Sequence, residues 1–97
     1  MDFLRGFMQF DASFWSVVKD RIRSINKDNK LIESFVDPIV YVETQGTQEL
    51  PRLILGVPST LHQYFVVENL FDKIYTEISR LAGKNFEVDI VVSGNKA

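Results

Sequence analysis

The chain has 97 residues, 45% of them apolar and 25% charged, with 11 basic side chains against 13 acidic ones and a formal net charge of −2. That length suits one domain with a single core, and the composition is that of a globular rather than a disordered chain. Zero Cys and a single His exclude disulfides, thiolate or histidine-cluster metal sites and a cysteine nucleophile, and the balanced charge exerts no strong pull on nucleic acid or anionic lipid.

No apolar run approaches the roughly 20 residues of a membrane span. The start Met1-Asp2-Phe3-Leu4-Arg5 lacks the basic-then-apolar plan of a secretory signal. The expectation is a cytoplasmic α+β domain without membrane contact. In chain order, residues 1–12 make an apolar leader in which Phe3, Leu4, Phe7 and Met8 have the spacing of a short amphipathic helix. Asp11 and Ser13 are alternative N-caps for a helix over residues 13–26, with Phe14, Val17, Val18, Ile22 and Ile25 as its apolar stripe. Asp28 is the expected cap of a short second helix carrying Leu31, Ile32 and Phe35, which Pro38 ends.

The period then changes. Residues 39–44 are β-branched and aromatic and read as a strand, a turn falls in 46–51, and residues 52–57 read as the hairpin partner. Thr60 with Gln63 makes a capping-box pattern, Ser59 competes as the cap, and a long helix continues to Leu81 with Gly83 as its left-handed C-cap. Val67, Phe71, Ile74 and Ile78 define its buried stripe, with Tyr64 and Leu81 at the edges. Residues 86–92 close as a strand, and 93–97 begin a linker or tail. The expected fold is α-α-β-β-α-β over residues 13–92, a three-stranded sheet packed against helices.

Catalytic chemistry is hard to assemble from these residues. The carboxylates are spread singly, no Gly-rich segment resembles a phosphate loop, and His62 reads as a surface residue on the first turn of the long helix. No enzyme activity, metal or cofactor is expected. The element order matches KH-type nucleic-acid binders, but Gly46-Thr47-Gln48-Glu49 and Gly56-Val57-Pro58-Ser59 both fail the backbone-clamping GXXG pattern. A local basic excess at Lys19, Arg21, Arg23, Lys27 and Lys30 is diluted by Asp20 and Asp28, so a solvated face is favoured over a weak single-strand site.

Apolar side chains that leave the stripes are more informative. Trp15 lies about a right angle from the Phe14, Val18 and Ile25 cluster, beside Lys19 and Ile22. It is either a boundary residue covering the core or an anchor for a partner. Leu61, Phe65 and Val66 also leave the long helix's stripe. They are either covered by the second helix or the leader, or they form an exposed docking patch.

Several segments in this order resemble the N-terminal domain (domain I) of the bacterial chromosomal replication initiator DnaA. They are Phe14-Trp15, Phe35-Val36-Asp37-Pro38-Ile39, Leu53-Ile54-Leu55-Gly56-Val57-Pro58 and Phe65-Val66-Val67-Glu68-Asn69-Leu70-Phe71-Asp72-Lys73-Ile74, and the likeness spans about residues 13–92. The resemblance implies a protein–protein interaction module that self-associates at the origin and recruits the replicative helicase and initiation regulators. By position, Trp15 matches the family's exposed self-association tryptophan, with Phe14, Lys19 and Ile22 as its surroundings. Leu61 matches a residue implicated in helicase contact, and Phe65 stands where the family has a tryptophan. Leu31 replaces a helicase-contacting glutamate, with Glu33 close by, which weakens that part of the likeness. Weak contact with single-stranded DNA is implied for Lys19, Arg23, Lys27 and Lys30.

Two alternatives accompany this reading. One is a KH-like single-stranded nucleic-acid binder, and the other is a stand-alone domain I homologue that regulates the initiator. The polar tail favours a fragment ending before a linker. The leader covers the Trp15 surface, extends a dimer contact or is disordered, and the residues do not choose among these.

Overall fold

A computed structural model describes residues 10–93, which leaves the leader positions Phe3, Leu4, Phe7 and Met8 outside the described residues. Helix α1 (Ala12–Ile25) starts where the Asp11 carboxylate accepts the Phe14 N–H at 3.0 Å, so Asp11 rather than Ser13 is the cap. It stops at Asn26, whose backbone N–H and side-chain amide both donate to the Ile22 carbonyl, at 3.0 and 2.8 Å. Asn29, not Asp28, caps α2 (Lys30–Val36) by accepting the Ile32 N–H at 3.2 Å. Asp37 keeps helical backbone angles (φ −53°, ψ −44°) and donates its N–H to the Glu33 carbonyl at 3.0 Å, so the proline does not drive it to extended geometry. The helix ends there because Pro38 has no N–H with which to continue the series.

Strands β1 (Val40–Gly46) and β2 (Pro51–Val57) pair antiparallel, with one irregularity between Tyr41 and Glu43. The hairpin turns at Gly46, whose φ of +83° suits glycine, and Leu50 N–H donates to Thr47 Oγ1 at 3.0 Å. After β2 comes the long helix: α3 (Thr60–Phe65), a π-helical turn (Val66–Leu70) and α4 (Phe71–Ala82). It carries the chain over the sheet so that β3 (Glu87–Val92) pairs parallel to β2, giving the order β1-β2-β3. The expected α+β order is therefore observed.

Ser59 caps α3 by accepting the His62 N–H at 3.1 Å, and the Thr60–Gln63 box does not form. The Gln63 side chain leaves the helix end and donates to the Ile90 carbonyl at 2.8 Å. Gly83 takes the left-handed C-cap as expected, with φ +66° and its N–H on the Ser79 carbonyl.

The core lies between the long helix, α1 and the inner sheet face of Leu53, Leu55 and Val57. Phe10 belongs to it, although the sequence reading leaves that residue in the leader: its ring stacks on Phe14 at 4.7 Å, and its carbonyl accepts from the Tyr41 and Thr44 hydroxyls. Two expected stripes are corrected. On α1, Val17 and Ile25 are exposed while Trp15 is buried. On the long helix, Val66 and Leu70 are buried and Val67 is 45% exposed.

The π turn explains the second correction. His62, Val66, Leu70, Ile74, Ile78 and Ala82 are all buried, at intervals of four. In a regular helix that interval drifts by about 40° per step, and a turn closed by i→i+5 bonds takes up the surplus residue. A helical wheel that continues the α4 phase upstream therefore selects Val67 in place of Val66. The phase shift makes a sharp prediction. Val66→Ala should cost about 2 kcal/mol or more in urea denaturation, whereas Val67→Ala should stay within about 0.5 kcal/mol. Equal costs would refute the shifted stripe.

Candidate interaction surfaces

The helix N-caps set which faces of α1 and α3 turn outward. With Asp11 fixing the phase of α1, Phe14, Trp15, Val18 and Ile22 face inward. Trp15 is only 3% exposed, and its indole N–H donates to the Ile39 carbonyl at 3.1 Å, at the entry to β1. This corrects the expectation of an exposed tryptophan. Of the expected self-association set, Phe14, Trp15 and Ile22 are core residues. Lys19 is half-buried, and burial, followed by repulsion from Arg23, lowers its pKa.

What α1 offers to solvent is different. Val17 (49% exposed) and Ile25 (58%) lie two turns apart, and with Asp20, Arg21 and Ser24 they line a shallow depression of about 310 Å³. Arg21 is anchored there. Its Nε donates at 3.0 Å to Glu77 on α4, a carboxylate almost fully buried, whose other oxygen lies 3.5 Å from Arg80 Nε. A buried carboxylate needs such partners, because isolated charge is costly away from water.

The second surface lies around the first turns of α3. Phe35 of α2 stacks on Phe65 at 3.9 Å with nearly parallel rings, which answers the question left open for Phe65: α2 covers it. Val66 is buried too. His62 lies beneath this pair, with its ring 4.8 Å from Phe35 and Nε2 at 2.8 Å from the Phe35 carbonyl. The expected surface histidine is thus a buried one that ties α2 to α3 by a hydrogen bond. Its place at the head of the interval-of-four series was the signal that could have found it.

One turn before Phe65 stands Leu61, 76% exposed, and one turn before Phe35 stands Leu31, 57% exposed. Tyr64 is exposed as well, and Glu33 is half-buried. Leu31 and Leu61 therefore present apolar side chains to solvent from two helices pinned together by the aromatic stack. Phe65 supports this surface from below.

The basic residues do not act alike. Arg23 is engaged twice, with Asp37 at 2.6 Å and Asp20 at 2.9 Å, and the hydrogen bond to Asp37 foremost raises its pKa. Lys19 is half-buried, while Lys27 and Lys30 are exposed. Among the described residues, no group of His, Cys, Asp or Glu could hold a metal, and no helix is long and apolar enough to cross a membrane.

No protein-family model and no solved structure matches the chain. A curated protein does, with 55% identity over 89 residues, or 92% of this chain. It is the chromosomal replication initiator protein DnaA of Bdellovibrio bacteriovorus. The chain is thus similar to DnaA over nearly its whole length. It spans about a fifth of that relative, since the match covers 19% of the DnaA sequence, and this is consistent with an N-terminal DnaA domain I.

Burial of Trp15 yields a test of its role. Trp15→Ala should destabilise the fold by about 3–5 kcal/mol through the cavity it leaves. Trp15→Phe should cost less, retaining most of the packing and losing a hydrogen bond worth about 1 kcal/mol. Denaturation of both variants, followed by circular dichroism, checks this. A Trp15→Ala variant as stable as the parent would place the side chain in solvent.

Proposed function

We propose that the chain is a domain I of a DnaA-type replication initiator and works as a protein–protein interaction module. The observation that carries this is the 55% identity to DnaA across 92% of the chain. The module acts in the cytoplasm and catalyses nothing itself. It self-associates so that initiators are held together at the origin, and it receives the replicative helicase and initiation regulators.

Two exposed apolar regions support a two-sided role. Self-association uses the outer face of α1, where Val17 and Ile25 flank Asp20, Arg21 and Ser24. Phe14, Trp15 and Ile22 act from beneath by fixing that helix. Helicase or regulator contact uses Leu31 and Leu61, with Glu33 and Phe65 beside them. Each face is small and individually weak. Many initiators bound to neighbouring origin sites raise the effective concentration, and weak contacts then suffice.

The basic residues lend less support to nucleic-acid binding, because Arg23 is held by two carboxylates and Lys19 is half-buried. Any single-strand contact rests on Lys27 and Lys30 and is weak and salt-dependent.

Sedimentation over a wide concentration range tests the α1 assignment. Val17→Asp with Ile25→Asp should weaken self-association tenfold or more and leave the circular dichroism unchanged, since both positions are exposed. Leu61→Asp should spare self-association and abolish capture of the replicative helicase. Loss of both activities in either variant, or of neither, would overturn the division of labour between the faces.

A further inference from the structure

Among the described residues β3 is an edge strand, and its hydrogen bonds reveal which backbone groups face outward. Ser93 N–H donates to Val57 O of β2 at 2.9 Å, whereas Ile90 O receives Gln63 from the other side at 2.8 Å. The N–H and C=O of one residue leave a strand together, and successive residues alternate. Asp89 and Val91 therefore pair with β2, and Val88, Ile90 and Val92 turn their backbone groups outward. Among the described residues, the amides of Val88, Ile90 and Val92 have no hydrogen-bond partner, and of their carbonyls only Ile90 O has one.

The long helix runs antiparallel along this edge. Gln63 reaches Ile90 at one end, and Tyr75 stacks on Phe86, just before β3, at 4.5 Å at the other. Between them the same side of the helix carries Val67 and Phe71, so an apolar wall of Val67, Phe71 and Tyr75 borders the row of open backbone groups. Val67 and Tyr75 are 45% and 39% exposed. On the opposite sheet face, β3 presents Glu87 and Asp89, whose one cation among the described residues is Arg52, at 3.1 and 3.3 Å.

We propose that this cleft binds an extended segment of a partner protein in which apolar and basic residues alternate, added to the sheet as a fourth strand beside β3. Each feature of the segment follows from the cleft. Its backbone bonds to the outward groups of Val88 and to Ile90 N–H, as in strand addition to an open edge. Its apolar side chains fall every second residue against the helix wall. The side chains between them point to the outer face, where Glu87 and Asp89 leave one negative charge unbalanced and Lys or Arg is the favoured cross-strand neighbour. Gln63 closes the far end of the edge by occupying Ile90 O. The cleft is separate from the α1 and Leu61 faces and stands without the initiator reading.

The test uses the 97-residue chain, isotopically labelled, titrated with a nine-residue peptide of alternating valine and lysine and followed by backbone amide resonances. Amides of Val88 and Ile90 should shift and gain hydrogen-exchange protection. A peptide of alternating valine and glutamate should not bind, and Val67→Lys, at an exposed position, should weaken the lysine peptide tenfold or more. Three results would overturn the proposal. They are no binding at millimolar peptide, shifts confined to α1 or to the Leu61 face, and equal binding of the two peptides. Amides of Val88 and Ile90 already protected in the free chain would give the edge to another occupant and overturn it too.

Discussion

Everything in this fold depends on one long helix keeping a single buried face over 20 residues. His62, Val66, Leu70, Ile74, Ile78 and Ala82 must all meet the core, and an interval of four residues is longer than the α-helical repeat. The π turn at Val66–Leu70 reconciles the two, and the Asn69 amide donates to the Phe65 carbonyl within it. Without that turn, whichever half of the helix kept its packing would swing the other out of register. The helix is also the crossover that makes β3 parallel to β2, so the sheet order rests on it too.

The same helix divides the surface. One flank carries Leu61, Phe65 and Glu77 and is fastened to α2 through the Phe35–Phe65 stack and to α1 through the Arg21–Glu77 pair. The other carries Gln63, Val67, Phe71 and Tyr75 and borders β3. Polar contacts concentrate where elements join: Trp15 to Ile39, His62 to Phe35, Gln63 to Ile90. Each gives a backbone carbonyl near a strand or helix end a side-chain donor, as buried polar groups require.

Much of the architecture was legible because it depends on local signals. The change of period after Pro38, the hairpin around residues 46–51 and the Gly83 cap all read directly from residue type. Capping was legible only to within a few positions: Asn29 replaced Asp28, and Ser59 displaced the Thr60 box, because neighbouring Asx and Ser/Thr residues can serve the same N–H groups. The surfaces were harder to read. A wheel at constant pitch cannot represent a π turn, so it misassigned Val66 and Val67. Nor does a wheel show that the indole N–H of Trp15 has a carbonyl within reach from a residue 24 positions away. Leu61 had no place in a stripe, which left it either covered or exposed, and it is 76% exposed. Leu31 was grouped with Ile32 and Phe35 on the second helix, yet it is 57% exposed.

The burial of Trp15 changes the physics of the proposed assembly. A tryptophan anchor would concentrate binding energy in one desolvated residue. On α1 the exposed apolar groups are instead Val17 and Ile25, β-branched side chains far smaller than an indole, set among charges that remain hydrated. Such a face buries little area, and specific stable interfaces need on the order of 1,200 Å² or more in total. If copies associate through this face, as proposed, two isolated copies would do so weakly, and substantially only when another constraint brings them together. Under the proposed function that constraint would be adjacent binding along DNA, which multiplies effective concentration without adding a contact. Weakness at this face would then make assembly conditional: copies would gather where sites are clustered and separate elsewhere, whereas a strong anchor would hold them together everywhere.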